Sequence, residues 1–341
     1  MKRSFTVYGF ALEGGQKLPE MTLAYETYGR LAADGRNAIL ITHGFTSSHH
    51  AAGKYRPADS TAGWWNGLIG PAKTIDTDRY FVVSSNMLGS SYGSTAPASA
   101  NPATGKPYGP DFPTITLGDI VHAQRLLLSS LGVRHLVAVA GPSFGGYQAF
   151  QWAVTYPTFM DGVVPVVTAP KGSGGDASVK ALLDRFATDR DWNGGWHYER
   201  GGIPATMTAL RVETLMRYGR NEILAVTVPD PAERERRIRV MAERWAREFD
   251  PNSMVTLRKA AVRYEAERDF PKIRARVLYV LSRTDKIFPP SIAPAVMDKL
   301  AAAGVDARYV EIDSDFGHSA SGADWQKWAP ALKEFLTKLE R

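Results

Sequence analysis

At 341 residues, 44% of them apolar and 22% charged, the chain can bury a sizeable core, as one large domain or as one domain carrying an insertion. The absence of cysteine excludes disulfides, thiolate metal sites and cysteine nucleophiles. A formal net charge of +6 does not point to nucleic acid, because the densest basic stretch, residues 232–248 (AERERRIRVMAERWARE), mixes both signs at helical spacing and reads as a solvated helix face.

Lys2 and Arg3 precede only a short apolar stretch, broken by Gly9 and without the small-residue cleavage site of a secretory signal. No stretch approaches the roughly 20 apolar residues of a membrane span. A cytoplasmic protein with no membrane partner is expected.

Residues 4–10 and 21–28 are expected to form antiparallel edge strands. β-rich runs follow at 38–42 (AILIT), 81–85 (FVVSS), 135–140 (HLVAVA), 162–168 (GVVPVVT), 276–282 (RVLYVLS) and 307–312 (ARYVEI). Most are continuously apolar, the signature of parallel strands covered on both faces by helices. Ahead of 135–140, Ile120, Gln124, Leu127, Leu128 and Leu131 share one helical face, and Gly132 ends that helix. Between Lys171 and Asp269 the strand signals vanish. Helical stretches there are broken by Gly194-Gly195, Gly201-Gly202 and Pro229-Asp230-Pro231. A helical block inside a β/α alternation is expected to be a lid over the carboxyl edge of the sheet, so that 1–170 and 270–341 form the core and 171–269 the insertion.

The run 135–140 leads straight into Gly141-Pro142-Ser143-Phe144-Gly145 and then a helical pattern. This is G-x-S-x-G in the strand, tight turn, helix setting that makes Ser143 the candidate nucleophile and the fold α/β, of the α/β-hydrolase type, with a mostly parallel sheet and a helical lid. The sharp turn holds the serine in a strained backbone region, and the glycines let neighbouring chains approach. The helix that starts there aims its free N–H groups at the site of developing negative charge.

A serine hydroxyl needs a base, usually histidine, oriented by a carboxylate, and in this fold the chain order is Ser, Asp or Glu, then His. Only His197 and His318 follow Ser143; His197 falls in the helical block, whereas His318 lies in the loop after run 307–312, where catalytic groups collect. For the acid, Asp285 lies just past run 276–282, with Asp313 and Asp315 as competitors in the histidine's own loop. The oxyanion donors are expected to be the backbone N–H of Phe144 and that of Phe45, the latter in the loop Thr42-His43-Gly44-Phe45-Thr46. His43 reads as structural. His49-His50 lacks a suitably spaced third ligand, so a surface turn is expected there and no metal. No cofactor is implied by these residues.

The chain also carries Gly63-Trp64-Trp65-Asn66-Gly67-Leu68-Ile69-Gly70-Pro71, Ile75-Asp76-Thr77-Asp78-Arg79-Tyr80-Phe81, Ser85-Asn86-Met87-Leu88-Gly89, Tyr92-Gly93-Ser94-Thr95 and Asp111-Phe112-Pro113. With the elbow, these motifs resemble the homoserine O-acetyltransferase family, densely from about residue 22 to 170 and again around Asp285 and His318. The resemblance implies an acyl-enzyme formed from an acetyl donor, usually acetyl-CoA, and a homodimer built through the lid. Two features depart from it. The family follows the catalytic histidine with aspartate, whereas here Ser319 follows His318. The family's carboxylate-gripping lid arginine aligns with Thr206, leaving Arg211 and Arg217 nearby but out of register. A zwitterion bound without these partners would leave its charges unpaired. Phe45 and Phe144 also stand where smaller or aliphatic side chains are usual, which implies a more apolar pocket.

On these departures, hydrolysis of a small, short-chain (acetyl) ester is favoured over acetyl transfer to homoserine, the alternative. A catalytically inactive hydrolase-fold binding protein is disfavoured because no triad member is missing. A dehalogenase is disfavoured because it needs a carboxylate at position 143.

Overall fold

The computed structural model describes residues 2–59 and 61–339. Its strands are β1 (Arg3–Ala11), β2 (Lys17–Tyr28), β3 (Ala38–Thr42), a short parallel pair β4 (Ile69–Gly70) and β5 (Ile75–Asp76), β6 (Phe81–Ser85), β7 (Leu136–Pro142), β8 (Met160–Val166), β9 (Arg276–Ser282) and β10 (Ala307–Ile312). Eight of them form one sheet in the order β1-β2-β6-β3-β7-β8-β9-β10. β1 and β2 pair antiparallel, as does β2 with β6, and every pairing from β6 to β10 is parallel. This is the α/β fold expected, with the two N-terminal strands at one edge.

The strand boundaries differ from the sequence reading for local reasons. β2 begins at Lys17 because the hairpin register pairs it with Ala11, a turn that Leu12 N closes by donating to Gln16 O at 2.9 Å. β8 stops at Val166 because Val167 turns out of the sheet with φ 42°. A β-branched residue pays a steric penalty in that region and is held there by packing.

α1 (Leu117–Ser130) starts with a capping box: Thr116 Oγ1 accepts from Asp119 N, and the Asp119 carboxylate accepts from Thr116 N. Such a cap stabilises a helix by about 1 kcal/mol. The expected stripe is buried from Ile120 to Leu128, and the polar member, Gln124, is tied to Gln148 of α2 (Phe144–Thr155) and to Trp152. Between β8 and β9 the chain is helical: α3 (Gly175–Ala187), α4 (Pro204–Arg217), α5 (Arg220–Ala225), α6 (Pro231–Ala246) and α7 (Pro251–Val262), with short 3₁₀ turns. The two ends of this excursion lie side by side, since Gly172 N donates to Tyr264 O at 2.8 Å and Ala266 N to Pro170 O at 2.9 Å. α6 has the solvated face expected. Glu233 pairs with Arg236 and Arg237, while Ile238, Ala242 and Trp245 are buried.

After β9 come α8 (Ala293–Ala302), α9 (Ala320–Ala323) and α10 (Ala329–Leu339). One core joins α1, α2 and α8 to the sheet; a second, on the other face, holds Trp328, Leu332 and Leu336 against Ile39, Ala138 and Val164. Burying each such leucine contributes about 1.5–3 kcal/mol. Among the described residues no helix is long and apolar enough to cross a membrane.

Candidate active site

Ser143 sits between β7 and α2 with φ 57° and ψ −121°, a conformation that a non-glycine residue occupies only under constraint. Its backbone is fixed from three sides. Ser143 N donates to Val166 O at 2.8 Å, while Gly146 N at 2.8 Å and the Thr168 hydroxyl at 2.7 Å both donate to Ser143 O. The flanking glycines are required by β3: a Cβ at Gly141 or at Gly145 would stand 2.4 Å from the Thr42 carbonyl oxygen. Phe144 is the first residue of α2, so its N–H has no acceptor within the helix.

The structure brings Asp285 to His318. His318 Nδ1 lies 2.8 Å from Asp285 Oδ2, and both residues are buried. Asp285 Oδ1 accepts from Ile287 N at 2.8 Å and from Phe288 N at 3.3 Å, which fixes the carboxylate in the turn after β9. The imidazole is packed between the rings of Tyr218 and Phe288, with centroids 4.7 and 5.8 Å away. Asp313 and Asp315 are taken by Arg283 instead, at 2.6 and 2.8 Å. His197 is elsewhere, 3.1 Å from Asp250 and stacked on Trp192. Ser143 and His318 line the same cavity, though no hydrogen bond joins the hydroxyl to the ring among the described residues.

The loop after β3 passes close to the serine, since a Cβ on Gly44 would lie 3.7 Å from Ser143 Cβ. Phe45 follows, lining the cavity. Buried polar groups hold this loop. Gln148 Nε2 donates to His43 O and to Phe144 O, each at 3.2 Å, and Trp245 Nε1 donates to Thr46 O at 3.1 Å. His43 is structural: Nε2 lies 2.8 Å from Asn86 Oδ1, and burial pulls its pKa down to about 4 against the opposing pull of its hydrogen bonds.

His49-His50 is not the surface turn that was expected. His49 is 2% exposed, and His50 Nδ1 lies 3.2 Å from Glu26, a buried carboxylate on β2. Burial alone would push the Glu26 carboxyl up, but hydrogen bonds from His50, Tyr28 and Tyr55 together with the charge of His50 hold it at about 2. Among the described residues no group of three or more His, Asp or Glu stands where it could hold a metal ion.

The cavity has a volume of about 500 Å³ and opens under α4, α5 and α6. Two arginines that the sequence reading did not place at the site face it, Arg211 of α4 and Arg220 of α5. Arg211 Nη1 donates to Thr46 Oγ1 at 2.7 Å, and its guanidinium lies 4.9 Å from the Trp245 ring centroid. Burial lowers the pKa of both guanidiniums. Thr206 lies outside the cavity, its hydroxyl donating to the Asp189 carboxylate at 2.9 Å. The inference that the cavity lacks a cation is therefore overturned. The family resemblance puts the arginine at 206, and helical periodicity does not say which turn of α4 faces the cavity. None of the described residues lining the cavity is an aspartate or glutamate.

A family model described as the alpha/beta hydrolase fold matches residues 37–200. The homoserine O-acetyltransferase of Symbiobacterium thermophilum is 38% identical, covering 96% of this chain and 92% of that protein. Two solved structures are each 30% identical over 98% of the chain. They are the homoserine O-acetyltransferase of Bacillus anthracis, with a TM-score of 0.89 over 97% of its chain, and esterase E22, with a TM-score of 0.90 over 99% of its chain.

Proposed function

Because the chain belongs to the homoserine O-acetyltransferase family of α/β-hydrolases, we propose that it carries an acetyl group on Ser143 from acetyl-CoA to the hydroxyl of homoserine. In the first half-reaction Ser143 Oγ attacks the thioester carbonyl while His318 Nε2 takes the hydroxyl proton. The tetrahedral oxyanion is held by the N–H groups of Phe45 and Phe144. Collapse breaks the C–S bond, and His318 returns its proton to the departing thiol. In the second half-reaction the homoserine hydroxyl attacks the acyl-serine, giving its proton to His318. Collapse then releases O-acetylhomoserine and re-protonates Ser143. Asp285 holds the ring in the tautomer that leaves Nε2 free and offsets the imidazolium charge. The 2.8 Å His318–Asp285 contact and the shared cavity support these roles.

The observation that carries transfer over hydrolysis is Arg211. A guanidinium in the serine's own cavity, with its Nε buried and unpartnered among the described residues, meets the requirement for a carboxylate-bearing acceptor. This reverses the preference for hydrolysis, which had rested partly on a missing cation. Free thiol and O-acetylhomoserine should appear together when enzyme, acetyl-CoA and homoserine are mixed, and both should disappear in Ser143→Ala. Acetyl ester hydrolysis outpacing transfer, with thiol release indifferent to homoserine, would reverse the assignment.

Ester hydrolysis is retained as a second reading on one specific ground. Among the described residues the cavity offers no carboxylate for the ammonium of homoserine, and Ser319 occupies the position after His318. We further propose that 171–269 acts as a lid on a core formed by 1–170 and 270–341, and that two copies pair through it. The exposed apolar side chains of Met216, Val226 and Val240, all within 171–269, support this segment as the contact.

A further inference from the structure

The serine cavity carries more positive charge than a homoserine site uses. Arg211 and Arg220 both face it, and no lining aspartate or glutamate balances them among the described residues. Neither has an ion-pair partner there, and Nε of each is buried without a hydrogen bond. The hydrogen bond that Arg211 does make, to Thr46 Oγ1, is to a neutral group. The guanidiniums are close enough that the charge on Arg220 works against the charge on Arg211. Two like charges, partly desolvated and without a counter-ion, cost free energy, so their persistence in a ligand cavity points to anions that arrive with the substrates.

Arg220 is firmly placed. It follows Gly219, whose φ of 86° turns α4 into α5, and a Cβ at Gly219 would stand 2.4 Å from Phe316 O. In the same corner Ser319 N donates to Tyr218 O at 3.0 Å. The backbone that carries Arg220 therefore packs directly on the loop that carries His318.

Resting on the acyl-enzyme reading above, we infer that Arg220 is the cation of a second anion subsite in the serine cavity, which takes a carboxylate beyond the acceptor's own. That carboxylate arrives at the far end of the acyl group, as in a dicarboxylic acid joined through one end, or on the acceptor. Once the donor thiol has left, the acetyl group on Ser143 and homoserine together bring one carboxylate and one ammonium, net zero, to a cavity holding two cations. A second carboxylate gives Arg220 a partner and supplies within the complex the counter-charge that the ammonium lacks.

The test compares wild type with Arg220→Met and Arg220→Lys. The acyl arm compares succinyl with butyryl, neutral and equal in chain length, as CoA thioesters and as p-nitrophenyl esters. Thiol or nitrophenol release reports acylation of Ser143 whether water or homoserine takes the acyl group, so failure of transfer to homoserine is read separately, from the absence of O-acylhomoserine. The acceptor arm compares homoserine with 4-hydroxyglutamate, which is homoserine bearing a carboxylate on its hydroxyl carbon. In one arm, wild type should prefer the carboxylated partner by about 10- to 100-fold in kcat/KM, the scale of one hydrogen-bonded charge pair. Arg220→Met should erase that preference and Arg220→Lys should retain part of it, which separates charge from packing. The second subsite is overturned if neither arm shows a preference, or if the preference survives intact in Arg220→Met.

Discussion

The rings of Phe45 and Phe144, the two residues proposed to donate the oxyanion N–H groups, pack against each other with centroids 5.8 Å apart. Backbone and side chain at these positions therefore have separable functions. Phe45→Ala keeps the donor and removes the ring from the cavity wall. Acetyl turnover should fall less than about tenfold, while the rate with a six-carbon acyl ester rises relative to acetyl. Phe45→Pro removes the N–H itself, and kcat should drop by about 10²–10³, the usual effect of losing one oxyanion donor. The pair of variants, checked for folding by circular dichroism and assayed on a p-nitrophenyl ester series, refutes the assignment if Phe45→Pro matches Phe45→Ala.

Asp285 is held by two backbone N–H groups as well as by the imidazole. Asp285→Asn keeps the shape of the turn but offers an amide that cannot hold His318 in the required tautomer, and kcat should fall by about 10⁴. Asp313→Asn and Asp315→Asn, which disturb only exposed pairs with Arg283, should stay within about twofold of wild type. Single-turnover acylation measured on all three variants separates the candidates. A severe loss in either loop aspartate, with Asp285→Asn active, would move the acid elsewhere.

Glu26 couples the hairpin edge to the loop that follows β3, through Tyr28 OH at 2.5 Å and His50 Nδ1 at 3.2 Å. Its folded pKa of about 2 lies below the ordinary 4.5. The folded state therefore binds this proton less readily than the unfolded state. The resulting stability is fully present above about pH 4.5 and is lost as pH falls toward 2. It amounts to about 1–3 kcal/mol once solvent screening is allowed for. Urea midpoints for wild type and Glu26→Gln should differ most at neutral pH and converge in acid. A gap that stays constant with pH would mean that the charge is not responsible.

The parallel strands were legible because burial on both faces leaves continuous apolar runs: β3, β6 and β9 have the bounds read from the sequence. The serine was legible because its turn needs glycine on both sides, against Thr42 O. The His318–Asp285 pair followed from chain order and position at strand ends, and the structure brings these two residues together. What escaped was set by distant partners. His49 is buried because its loop folds against a strand residue, Glu26, far away in the chain, and nothing local to positions 49 and 50 records this. Arg211 and Arg220 escaped because amphipathic spacing identifies a buried face of a helix without saying whether core or cavity lies beneath it.

Arg211 separates the two acyl fates most sharply. Its guanidinium reaches Thr46, the residue after Phe45, and lines the cavity of Ser143 without belonging to the proposed proton-transfer apparatus. Arg211→Met removes the charge that would hold the acceptor's carboxylate and preserves much of the side-chain volume over Trp245. For acetyl transfer, kcat/KM toward homoserine should fall by about 10- to 100-fold, chiefly through a raised KM, as expected for one charge-assisted pair. Hydrolysis of p-nitrophenyl acetate, whose alcohol carries no carboxylate, should change far less. The same ratio measured with ethanol as acceptor supplies the control, because an uncharged alcohol has nothing to lose. Equal losses for homoserine, ethanol and water would mean that Arg211 acts only by bracing the loop through Thr46, and would remove the chief support for transfer over hydrolysis.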